Sequence, residues 1–187
     1  MHNAAAALRF AAALAVLLVT DGSVAKPART RPSPPASSCA DGERVVYSCR
    51  FGMKIGSICL GRNSLHYRFG RPGRPDITVS SSPDWSNIHT GGNRSQGGLN
   101  QDYIRFTNGK THYVVHVDET GSLNENPGIA SSGIEVLEGE TGSATLASLR
   151  CKSAARFNAK AFFDLNRSAP AAWNGAEVPG GPFEMIY

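Results

Sequence analysis

Nothing in this 187-residue chain is long and apolar enough to span a bilayer as a helix. Its longest apolar run, Phe10 to Val19, has ten residues, about half of what a spanning helix needs. Cys-x-x-Cys is absent, which argues against thiol redox motifs and cysteine-rich zinc sites. There is no Gly-x-Ser-x-Gly elbow, phosphate loop or dinucleotide fingerprint, so the sequence-local signatures of hydrolysis and nucleotide chemistry are missing. A surplus of one charge is missing too. From Cys39 onward 15 Lys and Arg face 14 Asp and Glu, and Arg9, Lys26, Arg29 and Arg31 produce most of the chain's formal +4. A nucleic-acid binder carries a basic footprint in its folded part, so no nucleic-acid partner is expected.

What is present begins with an export signal. Arg9 supplies a short basic region, Phe10 to Val19 the apolar segment, and Ser23-Val24-Ala25 small residues at −3 and −1, which predicts a signal peptide over 1–25. Residues 26–38 hold four prolines and no aliphatic residue larger than alanine, the composition of an extended linker. The remaining stretch, 39–187, is long enough for one domain with a proper core. All four cysteines, Cys39, Cys49, Cys59 and Cys151, lie in it. An even number in an exported chain predicts two disulfides and a periplasmic or extracellular location. If the chain turns at Gly52-Met53, Cys49 and Cys59 point to opposite sides of one ribbon, which disfavours a 49–59 bond and leaves the pairing otherwise open.

From Arg44 onward the pattern is short and two-periodic. "RVVYSCRF" and "IGSICLG" read as a hairpin, "SLHYRFG" and "DITVSS" as further strands, then 102–107, 110–118, "GIEVLEG" and "SATLASLRC". Clusters of Gly, Pro, Asn and Ser separate them. The expectation is all-β: an antiparallel β-sandwich or partly open barrel of about seven or eight short strands. One short helix is expected over 158–166. The stretch 81–101 has no evident periodicity and reads as a long loop, pinned by Trp85 and Ile88, with Gly-rich 91–98 as its protruding tip.

The richest stretch chemically is "YIRFTNGKTHYVVH", Tyr103 to His116. Taking Asn108-Gly109 as a two-residue type I′ turn pairs Arg105 with His112 and Tyr103 with Val114. Ile104, Phe106, Tyr113, Val115 and Val117 then share an apolar face, and Tyr103, Arg105, His112, Val114 and His116 the other. The two histidines are separated by about 13 Å at the strand rise, too far for one zinc that must lie roughly 2 Å from each ligand. Glu135, Glu138 and Glu140 read as the solvent side and end of a strand rather than a glycosidase pair. No catalytic residue, metal or cofactor is expected, and the chain reads as a non-enzyme.

The succession Cys39, "VVYSC", "SICLG", "LHYRFG", "DYIRF", "YVVH", "SGIEVLEG" and "LRC" resembles the periplasmic lysozyme inhibitors, particularly those acting on invertebrate-type lysozyme. That resemblance implies a β-sandwich presenting a Ser-Gly-x-Tyr or Ser-Gly-x-x-Tyr loop to the lysozyme's catalytic cleft. Ser95 and Tyr103 stand for the motif's serine and tyrosine, with Gln96 in place of the glycine and eight residues from serine to tyrosine. The expected grip is the 91–103 loop, with Ser95, Gly97, Gly98 and Tyr103 contributing and Arg94 and Arg105 facing the cleft's carboxylates. The partner is then a lysozyme-like hydrolase. The alternative is an envelope-associated module that binds a glycan by stacking on Trp85, Tyr67 or Trp173.

Overall fold

The computed structural model describes residues 36–94, 97–128, 130–140, 142–171 and 173. The expected signal peptide, most of the Pro-rich linker and Ser95 lie outside the described residues. Among the described residues ten strands follow one another: β1 Arg44–Phe51, β2 Lys54–Leu60, β3 Leu65–Arg71, β4 Arg74–Ser80, β5 Ile88–Arg94, β6 Leu99–Asn108, β7 Thr111–Thr120, β8 Ala130–Glu138, β9 Ala144–Arg150 and β10 Arg156–Phe157. They form two antiparallel five-stranded sheets, β10-β1-β2-β3-β4 and β5-β6-β7-β8-β9. The architecture is an all-β sandwich and not a closed barrel. No helix among the described residues is long and apolar enough to cross a membrane.

Alternation along each strand turns one set of side chains into the gap between the sheets. Val46, Tyr47, Ile58 and Tyr67 from the first sheet meet Ile88, Ile104, Phe106, Val115 and Ile134 from the second. Tyr67 lies on Tyr113 with ring centroids 5.2 Å apart, and Tyr47 Oη and Ser132 Oγ are hydrogen-bonded at 3.2 Å. Burial pushes the Tyr47 hydroxyl up to about 12, so this tie between sheets stays protonated. Cys49 in β1 is bonded to Cys151 just past β9, and Cys39 to Cys59 in β2. Both bonds mark an oxidising environment, and neither is the 49–59 bond that the ribbon geometry disfavours.

Residues 36–43 lie along the outward face of the first sheet as a strap. Ser38 N donates to Ser57 Oγ at 3.0 Å, and Ser48 Oγ to Ala36 O at 3.1 Å. The Glu43 carboxylate takes both ends of the Arg68 guanidinium, one bond at 2.9 Å, and stands 3.5 Å from His66 Nε2. The hydrogen bonds from Arg68 hold Glu43 below the usual carboxylate value, against the opposing effect of its burial.

Three expectations change here. Residues 88–94 are not loop: they form β5, paired with β6 from Ile88↔Phe106 to Arg94↔Asn100. Trp85 and Ile88 are buried as expected, at 0% and 1% exposure, and Trp85 adopts a left-handed φ of 59° in the turn that enters β5. The β6–β7 pairing is shifted by two residues from the expected one, with Thr107↔His112, Arg105↔Val114 and Tyr103↔His116. The turn is Gly109-Lys110, with Gly109 at φ 62° in the first central position, as a type II′ turn requires. A shift of two preserves which residues share a face, so the apolar and polar sets stand. The expected single helix is two short turns, α1 Ala159–Phe163 and α2 Leu165–Ser168, with Asn158 capping the first through Ala161 N.

Candidate functional site

The features left over once the core is built gather at one end of the second sheet. There β5 gives way to β6, and β7 to β8, so two loops lie side by side. Gly121 N donates to Gly98 O, Leu123 N to Gly97 O at 2.8 Å, and Asn124 Nδ2 to Gly98 O at 3.1 Å. Gly97 has a φ of 81°, and a Cβ placed on it would collide with the Leu123 side chain, so this close approach needs glycine. The loops are thereby joined into one tip. At its crest Leu123 is 81% exposed, beside exposed Glu125.

Behind the tip a single row crosses the outward face of the sheet: Gly91, Tyr103, His116, Gly133 and Arg150 occupy consecutive registers. A Cβ on Gly91 would strike the Tyr103 ring, and one on Gly133 would lie 2.6 Å from His116 Nε2 and 2.7 Å from Leu149 O. Each aromatic ring therefore lies over a glycine, which gives β5 the cross-strand cover its own side chains lack. Next to this row, His116 Nδ1 is 2.8 Å from Asp118 Oδ2, Gln101 Nε2 donates to Asp118 Oδ1 at 2.7 Å, and Ser131 Oγ to Asp118 Oδ2 at 3.2 Å. Burial acts to raise Asp118, but these hydrogen bonds outweigh it and keep the carboxyl below its ordinary value. An ionised Asp118 can only accept, so His116 Nδ1 is the donor of this pair and Nε2 is turned towards Gly133.

The other polar residues of this face are sunk rather than presented. Arg105 is 1% exposed, and burial pulls its guanidinium down to about 10, still charged at neutral pH. His112 has Gly139 O at 2.7 Å from Nε2 and Thr107 Oγ1 at 3.0 Å from Nδ1, a pairing that holds the β8–β9 turn. Glu135, expected on the solvent side, is 6% exposed with Ser148 Oγ donating to its Oε1 at 2.6 Å. It faces outward from the sandwich yet is buried among its neighbours, because sheet alternation decides the face and not the depth. Glu138 and Glu140 are exposed.

The predicted grip residues are only partly brought together. Gly97 and Gly98 are in the tip, and Arg94 ends β5 opposite Asn100. Tyr103 is four residues into β6 from Leu99, about 13 Å along the strand, where it covers Gly91. Arg105 lies further still and inside the face. The 121–128 loop, which completes the tip, has turn composition in "GSLNENPG" with a lone leucine, and that leucine is the signal that could have found it. Trp85 and Tyr67, suited to stacking on a sugar, are 0% and 1% exposed, and Trp173 packs edge-on to Trp85 with its Nε1 donating to Ile88 O.

Two clefts flank the same end of the sheet. One of about 510 Å³ opens between the sheets, lined by Asn100, Asp102, Val117, Ser132, Ala155 and Phe157 among others. The second, about 490 Å³, opens on the outward face around His116, Asp118, Glu135 and Arg150. Among the described residues the grouping closest to a metal-ligand set is Cys39, Glu43 and Cys59, whose cysteines are spent on a disulfide. Comparison with known proteins finds no matching family model, curated protein or solved structure.

Proposed function

We propose that the chain is an exported, non-catalytic binding protein, periplasmic or extracellular, that grips another protein with the joined tip of its second sheet. The observation that carries this reading is Leu123, 81% exposed on a loop whose backbone is bonded to Gly97 and Gly98. A leucine on a mobile loop gains little when buried, because ordering the loop offsets the gain. One held in place by its neighbour loop is a ready anchor with a polar rim around it. Exposed Glu119 and Glu125 give the rim a negative charge that steers a basic partner. A lysozyme-like hydrolase is the concrete partner, supported by the resemblance in the order of the short strands and cysteines. In this reading the tip takes the role expected of Tyr103 and Arg105.

The test is a cell-wall turbidity assay of the purified exported chain against invertebrate-, chicken- and goose-type lysozymes, with complex formation followed by size-exclusion chromatography. One type is expected to be inhibited at about micromolar protein. Leu123→Asp is expected to weaken that complex by about tenfold or more with no change in thermal stability. Lack of inhibition and of complex with all three types would falsify lysozyme as the partner. An unchanged complex with Leu123→Asp would remove the tip as the grip.

A further inference from the structure

The cleft on the outward face of the second sheet has a chemistry of its own, independent of the tip. Its lining comes from outward-facing polar side chains, His116 on β7, Glu135 on β8 and Ser148 and Arg150 on β9, with the His116 ring filling the gap over Gly133. Glu135 lines it while being 94% buried by residue, as its 6% exposure states. Ser148 occupies Glu135 Oε1, and among the described residues no hydrogen bond or ion pair engages Glu135 Oε2, His116 Nε2 or the Arg150 guanidinium. A carboxylate this deep is normally paired. Asp118, also in the wall, has its oxygens taken by Gln101, His116 and Ser131. Glu135 is therefore the acceptor left open, and exposed Arg150 stands at the rim one diagonal away across the β8–β9 pair.

We infer that this cleft binds a small zwitterion, a free amino acid or the end of a short peptide, with its ammonium on Glu135 and its carboxylate on Arg150. The lining selects against simpler ions. A plain anion satisfies Arg150 but faces two carboxylates, and a plain cation satisfies Glu135 but faces the guanidinium. A neutral sugar hydrogen-bonds to both, yet brings no ammonium to Glu135 and finds no Trp, Tyr or Phe in the wall to stack on. A volume of about 490 Å³ lies in the range of small-molecule sites. His116 Nε2 and the Ser148 hydroxyl remain to read the ligand's side chain or first peptide group.

The test is calorimetric titration of the full exported chain with alanine, serine, glutamate, lysine and dialanine, together with N-acetylalanine, alanine amide and N-acetylglucosamine. At least one zwitterion is expected to bind saturably, and removal of its ammonium by acetylation to weaken binding by about tenfold or more. Glu135→Gln, which keeps the shape and the Ser148 contact, is expected to cause a similar loss, as is Arg150→Gln for the carboxylate. Glu138→Gln, exposed on the same strand, is expected to leave binding unchanged and serves with thermal melts as the folding control. Failure of every zwitterion to bind overturns the inference, as does binding insensitive to acetylation or to Glu135→Gln in a folded variant. Tighter binding of N-acetylglucosamine than of any zwitterion also overturns it. Because Leu123 is outside this cleft, loss of lysozyme inhibition and loss of zwitterion binding are separable results.

Discussion

On the first sheet the chain lays its own residues 36–43 across the outward face and ties them down, covalently through Cys39–Cys59 and electrostatically through Glu43 on Arg68. On the second sheet the outward face is finished by side chains of the sheet itself: rings over Gly91 and Gly133, Asp118 under three donors, Arg105 and Glu135 sunk between them. The first solution closes a surface, with Glu43 paired to Arg68 and Ser48 to the Ala36 carbonyl. The second leaves an open cleft and a joined loop tip at one end. A closed face and an open one are thus divided between the sheets, and each half of that division can be broken separately.

The largest expected effect removes the bond that holds the sheets to each other. The Cys49–Cys151 bond closes a span of 102 residues and Cys39–Cys59 one of 20. Loop-closure entropy predicts losses of about 4.7 and about 3.3 kcal/mol for the two paired alanine variants. Guanidinium unfolding with Cys39→Ala/Cys59→Ala as the more costly pair would contradict a strap that merely lies on the first sheet. Next comes the strap's ion pair. Glu43→Gln leaves Arg68 half-satisfied in a poorly exposed site and is expected to cost about 2 kcal/mol. The two ring-covered glycines should differ from each other. Gly133→Ala meets the Leu149 carbonyl of the next strand and is expected to cost about 2 kcal/mol, while Gly91→Ala meets only the half-buried Tyr103 ring, which can swing aside, for under about 1 kcal/mol. Equal melting points for the two variants would show that the row is looser than drawn.

The smallest effect is one of pH, and it should separate the sheets. His66, on the first sheet, is held below its ordinary value by burial first and by Arg68 second, with Glu43 opposing. As pH falls through 6.5 the unfolded chain binds that proton before the folded one, so the stability fully present above 6.5 declines towards the folded value. Glu43 adds a second decline in acid: its contribution is complete above 4.5 and is lost as pH falls through its lowered folded value. Asp118, on the second sheet, begins to lose its share only below about 3.8. Urea midpoints measured from pH 7.5 to 3 are expected to show the upper step disappear in His66→Gln while the acid step remains. An upper step that survives this substitution would assign it to another histidine.

The fold class and eight of the strands were legible because their signals are local: alternation, turn residues and an even cysteine count. The fifth strand was not. Gly91 and Gly92 read as loop by composition, and what makes them strand is the Tyr103 ring, twelve positions later, lying over the gap. The β6–β7 register slipped by two because Asn108-Gly109 and Gly109-Lys110 both make acceptable hairpin turns, and only the pairing along the whole strand chooses between them. Faces survive such a slip and partners do not, which is why the apolar set was right while Tyr103 met His116 and not Val114. Depth was the least legible quantity. Glu135 and Arg105 stand on the expected outward face, yet alternation says nothing about how far a wide sheet of long side chains buries its own centre.

The order in which the cysteines appear carries one more consequence. Counted from the N-terminus, the bonds join the first to the third and the second to the fourth, so they interleave. A chain emerging head first into an oxidising space offers Cys49 to Cys39 and Cys59 long before Cys151 arrives. Oxidation in order of appearance therefore produces wrong pairs, and reaching the native set means reopening them by thiol exchange, on a scale of seconds to hours without help. Maturation of this sandwich is then an editing process, and its yield should depend on a disulfide isomerase more than on the oxidant.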